Sequence, residues 1–305
     1  SRLRTLPSAP GIPLQSVDDT YVLEYGSPES LEIIRKHADE IAAVMVEPVQ
    51  SRRPEFQPRE FLHELRRITR EAGIILVFDE VVNGFRVGPG GAQAYFGVEA
   101  DLATYGKIVG GGMPIGVVAG RSAVMDTFDG GHWQYGDDSF PGAGVTFFAG
   151  TFVRHPLAMA AAHATLKHLI REGPALQERV ASRASKLARR VNEVFQKYEL
   201  NIEMPQFSSQ MYLRIKEQGE LANLLYFHLR YRGVHVLEGF PSYMTDAHNE
   251  DDLAHLVRAF TESVETMVED GIFGNPARLS AADGREFALE PTSLGLNGTP
   301  DAVSP

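Results

Sequence analysis

The side chains of this sequence best placed for chemistry are an aspartate and a lysine, Asp79 and Lys107. Asp79 closes the apolar run Ile74–Ile75–Leu76–Val77–Phe78, so a buried strand delivers its carboxylate to the carboxyl edge of a sheet, where open α/β folds place ligands. Lys107 follows the apolar segment Leu102–Ala103–Thr104–Tyr105 and precedes Gly110–Gly111–Gly112, which leaves room for a planar group beside its amine. An amine and a carboxylate at neighbouring strand ends suit a pyridoxal phosphate site, the lysine bonding the cofactor aldehyde and the carboxylate keeping the ring nitrogen protonated. On spacing alone, an ordinary Asp–Lys ion pair beside a loop is the stronger reading.

Other chemistries drop out on inspection. Gly106–Lys107 is followed by Ile108 and lacks the glycine five positions before the lysine, so there is no Walker A cradle. His63–Glu64 begins like a zinc protease helix, but Arg67 stands where the second histidine is required. No G-x-S-x-G elbow occurs, the ten histidines show no metal spacing, and there is no cysteine, so no metal site is expected. Forty acidic against 29 basic residues give a net charge of −11, which repels phosphate backbones and argues against nucleic acid as a partner. The apolar runs Ile41 to Val46 and Ile74 to Phe78 fall far short of the ~20 residues a membrane span needs. Ser1 to Pro13 has neither an apolar signal core nor an initiating Met; a cytoplasmic, processed or excised chain is the expectation.

The elements that position the pair alternate in period. Tyr21 to Leu23, Ile41 to Glu47 and Ile74 to Asp79 read as strands; Glu29 to Asp39 and Arg59 to Glu71 read as helices, with Pro58 at a helix start and Gly73 at its end. This is βαβ grammar, and the continuous apolar strands predict an α/β fold whose mostly parallel sheet is covered on both faces. Gly84 to Gly150 is rich in glycine and aromatics and reads as a loop-rich functional face. Beyond it lie long helical patterns at Leu157–Ile170 and Ala175–Lys197, short apolar segments near Ile202 and Met211–Ile215, and helices at Leu221–Tyr231 and Asp251–Glu269. The expected organisation is a partial large domain over 1–165, a smaller α+β domain over 166–275, and a disordered linker over 276–305.

Longer words then surround the pair, in order: Val46–Glu47–Pro48; Val77–Phe78–Asp79–Glu80–Val81 with Gly84–Phe85–Arg86; Gly106–Lys107–Ile108–Val109–Gly110–Gly111–Gly112–Met113–Pro114; and Ala149–Gly150–Thr151 with Pro156–Leu157–Ala158–Met159–Ala160. By these four motifs the sequence resembles the class III aminotransferases over roughly residues 15 to 270, nearest the glutamate-semialdehyde aminomutase-like branch. Gln50–Ser51–Arg52–Arg53–Pro54 and Trp133–Gln134–Tyr135–Gly136–Asp137–Asp138 look further like aminotransferase domains of hybrid polyketide and nonribosomal peptide synthases.

The resemblance implies a fold-type I, pyridoxal 5'-phosphate-dependent transferase with an incomplete large domain and a smaller C-terminal one. It makes Lys107 the Schiff-base lysine and proton shuttle, Asp79 the partner of the pyridine nitrogen, and Val81 a packing residue under the ring. Glu47 matches a carboxylate near the cofactor, with a structural role equally open. Thr151 matches a threonine that reaches a phosphate across a homodimer interface, with a helix cap as the alternative. Arg86 reads as a brace for its loop rather than a substrate ligand, and His155 stands where the family commonly has Asn. The family's phosphate-binding turn and stacking aromatic come from an N-terminal part that does not precede Ser1, so weak cofactor affinity is expected of this chain alone. The implied reaction is transamination from an amino donor to a keto acceptor, in the synthase reading a β-ketoacyl thioester on a carrier protein domain. An aminomutase and a non-catalytic scaffold of a megasynthase remain the alternatives.

Overall fold

A computed structural model describes residues 5–142, 144–216 and 220–274 of the 305. The first helix, α1 (Pro28–Lys36), starts at Ser27, whose hydroxyl accepts from the Glu29 N–H at 3.2 Å, and buries Leu31 and Ile34. Strand β1 (Ala43–Val46) follows, then α2 (Arg59–Ala72), whose buried Leu62, Leu65 and Ile68 recur at helical spacing. Gly73 ends α2 at φ 71°, a left-handed cap that suits glycine, and turns the chain directly into β2 (Ile75–Asp79). Two short helices, α3 (Gly84–Val87) and α4 (Gly91–Phe96), lead to β3 (Leu102–Tyr105). A tight turn at Lys107–Gly110 precedes β4 (Val117–Gly120) and α5 (Ser122–Asp129).

The four strands form one sheet in the order β1-β2-β3-β4, parallel, parallel and then antiparallel. The expected mostly parallel sheet is present, and α2 supplies the crossover between β1 and β2. Leu62, Leu65, Leu76, Phe78 and Phe96 form the centre of its core. Asp101, at the foot of β3, accepts from the Leu76 N–H at 2.9 Å, from Arg66 at 2.8 Å and from Arg121 at 2.6 Å, tying β2, α2 and the end of β4 to one carboxylate. Burial alone would raise its pKa, but these donors together hold it below the usual aspartate value.

After α5, residues 131–142 and 144–155 carry neither helix nor strand. Two long helices come next, α6 (Pro156–Glu172) and α7 (Pro174–Lys197), joined by Gly173. The chain then makes β5 (Ile202–Glu203), β6 (Gln206–Phe207), β7 (Gln210–Met211), β8 (Arg214–Ile215), α8 (Leu224–Tyr231), β9 (Ser242–Tyr243) and α9 (Glu250–Glu269). A capping box between Asn249 and Asp252 starts α9. A second core joins Leu187, Val191 and Phe195 of α7 to Leu225 and Leu229 of α8 and Phe260, Val264 and Met267 of α9. Phe207 of β6 packs instead into the first core.

Two expectations need correction. Tyr21 to Leu23 form no strand: the segment pairs with no neighbouring strand, and Leu23 packs on the first core from a loop. The sheet is not covered on both faces at β1, whose burial alternates; Met45 is 66% exposed while Val77 beside it on β2 is buried. Helix α6 runs unbroken through residue 165. The tail expected to be disordered lies outside the described residues. Among the described residues no helix is long and apolar enough to cross a membrane.

Candidate active site

Asp79 and Lys107 meet because β2 and β3 are parallel neighbours and both loops leave from their carboxyl ends. Asp79 lies opposite Thr104, whose hydroxyl donates to Oδ1 at 3.2 Å; the Val81 N–H donates to the same oxygen at 3.1 Å. These two bonds fix the carboxylate and leave Oδ2 without a protein partner among the described residues. Gly106 is extended, and Lys107 then turns left-handed at φ 48°, a conformation rare for a side chain of this size. A Cβ added at Gly106 would stand 3.4 Å from Val81 Cγ1 and 3.3 Å from the Ile115 carbonyl, so Val81 packs against the backbone that carries Lys107. The glycine run has a steric reason as well. A Cβ on Gly111, at φ 58°, would collide with Thr165 Oγ1 and lie 3.2 Å from the Ala161 carbonyl, both on α6.

Lys107 is exposed, and no carboxylate of the described residues pairs with it. The ordinary Asp79–Lys107 ion pair is therefore not formed. Glu47, directly after β1, is pushed up from the usual 4.5 to about 7, first by burial and then by the Asp79 charge, against a Ser51 backbone hydrogen bond and the Lys107 charge. Its Oε1 is buried with no hydrogen-bond partner among the described residues. Asp79, Lys107, Val81 and Glu47 are thus brought together on one edge of the sheet. Thr151 is not: it stands exposed in the segment before α6, and the N-cap of that helix is His155, whose side chain makes no capping bond. Thr151 is no helix cap.

Sequence reasoning missed the contribution of the second core. Tyr243 of β9 lies close enough for the Glu47 charge to raise its hydroxyl pKa, after burial as the larger cause, and its ring sits under the Arg86 guanidinium, Cζ 3.9 Å from the centroid. Ser208 donates to the Arg86 carbonyl at 2.7 Å, and Gln210 donates to the Ser51 carbonyl at 2.9 Å. The loops after β1 and β2 are therefore held from the other core. Two-residue strands carry no readable period, so only the position of Tyr243 after a turn could have marked it.

The residues fit a flat cofactor that offers a carbonyl to an amine and a basic ring nitrogen to a carboxylate. An accessible Nζ, an unpartnered Asp79 Oδ2, the open space beside Gly112 and Gly116, and the orphaned Glu47 oxygen supply the complementary groups. No cluster able to hold a metal occurs among the described residues.

A family model described as Aminotransferase class-III matches residues 4–236. A glutamate-1-semialdehyde 2,1-aminomutase of Ignicoccus hospitalis is 34% identical over 279 residues, which are 86% of this chain and 62% of that protein. Its counterpart in Ruminiclostridium cellulolyticum is 33% identical over 281 residues, 87% and 61% of the two chains. Among solved structures, an omega-transaminase from Sphaerobacter thermophilus superposes with TM-score 0.74 at 27% identity, covering 85% of this chain and 60% of its own. A chain described as a transaminase with PLP bound gives TM-score 0.77 at 28% identity, covering 86% and 61%. The chain spans about three fifths of the length of these relatives, and its fold is part of the fold-type I transferase architecture. With the family model covering most of its length and the lysine and aspartate in place at the sheet edge, the chain belongs to the class III aminotransferases.

Proposed function

We propose that the full-length protein is a pyridoxal phosphate-dependent transaminase that moves an amino group from an amino acid donor to a keto acceptor. The observation that carries this reading is the unpaired, accessible Lys107 beside an Asp79 that keeps one oxygen free. When bound, pyridoxal phosphate supplies an electron sink for the charge left when the donor carbon loses its proton. Lys107 Nζ would provide the amine that holds the cofactor by its aldehyde and the base that carries the proton at the donor carbon. Asp79 would hold a proton on the ring nitrogen with the oxygen that the Thr104 and Val81 bonds leave free, and Val81, packed against Gly106, would line the ring's site. Glu47, partly protonated near neutrality, offers a hydrogen-bond donor that an ordinary glutamate would not. Thr151 acts in the neighbouring subunit of a homodimer. Its exposed surroundings, with Tyr135, Phe147 and Phe152 each more than three quarters exposed, support that assembly.

The motifs Gln50–Pro54 and Trp133–Asp138 favour a carrier-bound β-ketoacyl acceptor. A second reading, an aminomutase that moves the amine within one molecule, is favoured by the names of the relatives. Incubating the full-length protein with pyridoxal phosphate, reducing with borohydride and mapping peptides tests the core of the proposal. A label on the peptide containing Lys107 is expected. Label elsewhere, or none, overturns it and leaves the scaffold reading. Turnover of glutamate-1-semialdehyde without an external donor would replace the transaminase by the aminomutase.

A further inference from the structure

Among the described residues, Arg86 is a cation without a counter-ion. Its guanidinium lies on the Tyr243 ring, its Nε is buried with no hydrogen-bond partner, and among the described residues no carboxylate pairs with it. Burial lowers its pKa, which marks a charge taken out of water at a cost that an aromatic face offsets only in part. Glu47 is the obvious mate, since its charge reaches Tyr243, yet it makes no bond to Arg86 and its own buried oxygen stays unpartnered. With its pKa near 7, Glu47 also cancels only part of the positive charge at neutral pH.

The position of Arg86 is built rather than incidental. Ser208 holds its carbonyl at 2.7 Å, and Tyr243 pairs with Gln210 across β7 and β9, which is itself tied to the Ser51 carbonyl at 2.9 Å. Helix α3, which carries Arg86, packs against the Lys107–Gly110 turn, and this puts the guanidinium on the same side of the molecule as Lys107. A guanidinium offers paired N–H donors that match the two oxygens of a carboxylate.

We propose that Arg86 anchors a carboxylate of the amino substrate, with Tyr243 as the platform beneath it. This rests on the transaminase reading, and it revises the expectation that Arg86 is only a loop brace.

The test uses full-length holoenzyme, wild type, Arg86→Met and Arg86→Lys. Calorimetric titration with the carboxylate probe glutarate needs no turnover: wild type is expected to bind it, Arg86→Met at least 10-fold more weakly, and Arg86→Lys in between. For an amino acid donor, Arg86→Met should raise KM by about 10- to 100-fold, the size of a lost charge-assisted hydrogen-bond pair, with kcat little changed. The Lys107 label and cofactor affinity should match wild type. Equal glutarate affinity in all three proteins, or no binding by wild type, overturns the proposal. So does a fall in kcat and cofactor affinity together, which would make Arg86 a brace or a cofactor ligand. An absent Lys107 label in wild type would sink the transaminase reading separately, with glutarate binding still readable.

Discussion

Lys107 occupies a left-handed backbone position that few lysines adopt, and strain of this kind is stored where geometry matters to chemistry. If its amine does the work, Lys107→Ala should abolish both the borohydride label and turnover of the full-length protein. Lys107→Arg should be as inactive, because a guanidinium stays protonated and has no free amine to bond an aldehyde. Lys167→Ala, exposed on α6, should change neither; an active arginine variant, measured by donor consumption, would remove Lys107 from the role. Glu47 gives a separate expectation in pH. Between the usual 4.5 and about 7 the unfolded chain releases this proton while the folded one keeps it, so folding stability contributed by the neutral carboxyl falls as pH rises through that window. Urea midpoints should therefore drop between pH 5 and 8 more for wild type than for Glu47→Gln; parallel curves would mean that Glu47 ionises like a surface glutamate. The placement of Asp79 and Lys107 at neighbouring strand ends was legible in the sequence, because Asp79 closes a continuous apolar run and Lys107 follows Leu102–Tyr105 by one glycine, although only the longer motifs around them set the pair apart from an ordinary ion pair. Tyr243 and Gln210 were not, since each lies more than 130 residues beyond Asp79 in strands two residues long.

The turn from Lys107 to Gly110 leans on α6, and the glycine after it is what lets the two approach. Gly111→Ala should force α6 and the turn apart, since the new methyl meets Thr165 Oγ1 while that hydroxyl is held by the Ala161 carbonyl at 3.0 Å. Gly116, with nothing within 4 Å of a Cβ, gives the comparison. Gly111→Ala is expected to lose about 2 kcal/mol or more in urea unfolding, from overpacking and a left-handed backbone combined, and most of its Lys107 labelling. Gly116→Ala should lose under about 1 kcal/mol. Equal behaviour of the two would show that the α6 contact does not set the turn. The glycine run itself was visible in the sequence, but its partner helix, some fifty residues on, was not. Helices α2, α7 and α9 were read nearly to the residue because each keeps its apolar spacing over 14 residues or more; Tyr21–Leu23 misled because a short apolar run is also what a loop uses to pin itself to a core.

At the scale of the molecule, the apolar side chains left in water among the described residues are concentrated on the stretch before α6. Tyr135 is 98% and Phe147 92% exposed in the single chain. If the full-length protein is a homodimer that covers this stretch, Tyr135→Asp combined with Phe147→Asp should shift it to monomer in sedimentation velocity, while the same change on a free surface would leave its mass unaltered. The sheet carries a different liability. Strand β1 pairs only with β2 and β4 only with β3, so among the described residues both outer strands present unsatisfied amide and carbonyl groups, with Met45 and Val118 projecting beside them. Such borders are templates for strand addition by other copies, and natural proteins blunt them with charge. Residues 1–305 expressed alone should consequently aggregate through intermolecular pairing, and Met45→Lys, at a largely exposed position, should raise the soluble yield severalfold over wild type in parallel expressions.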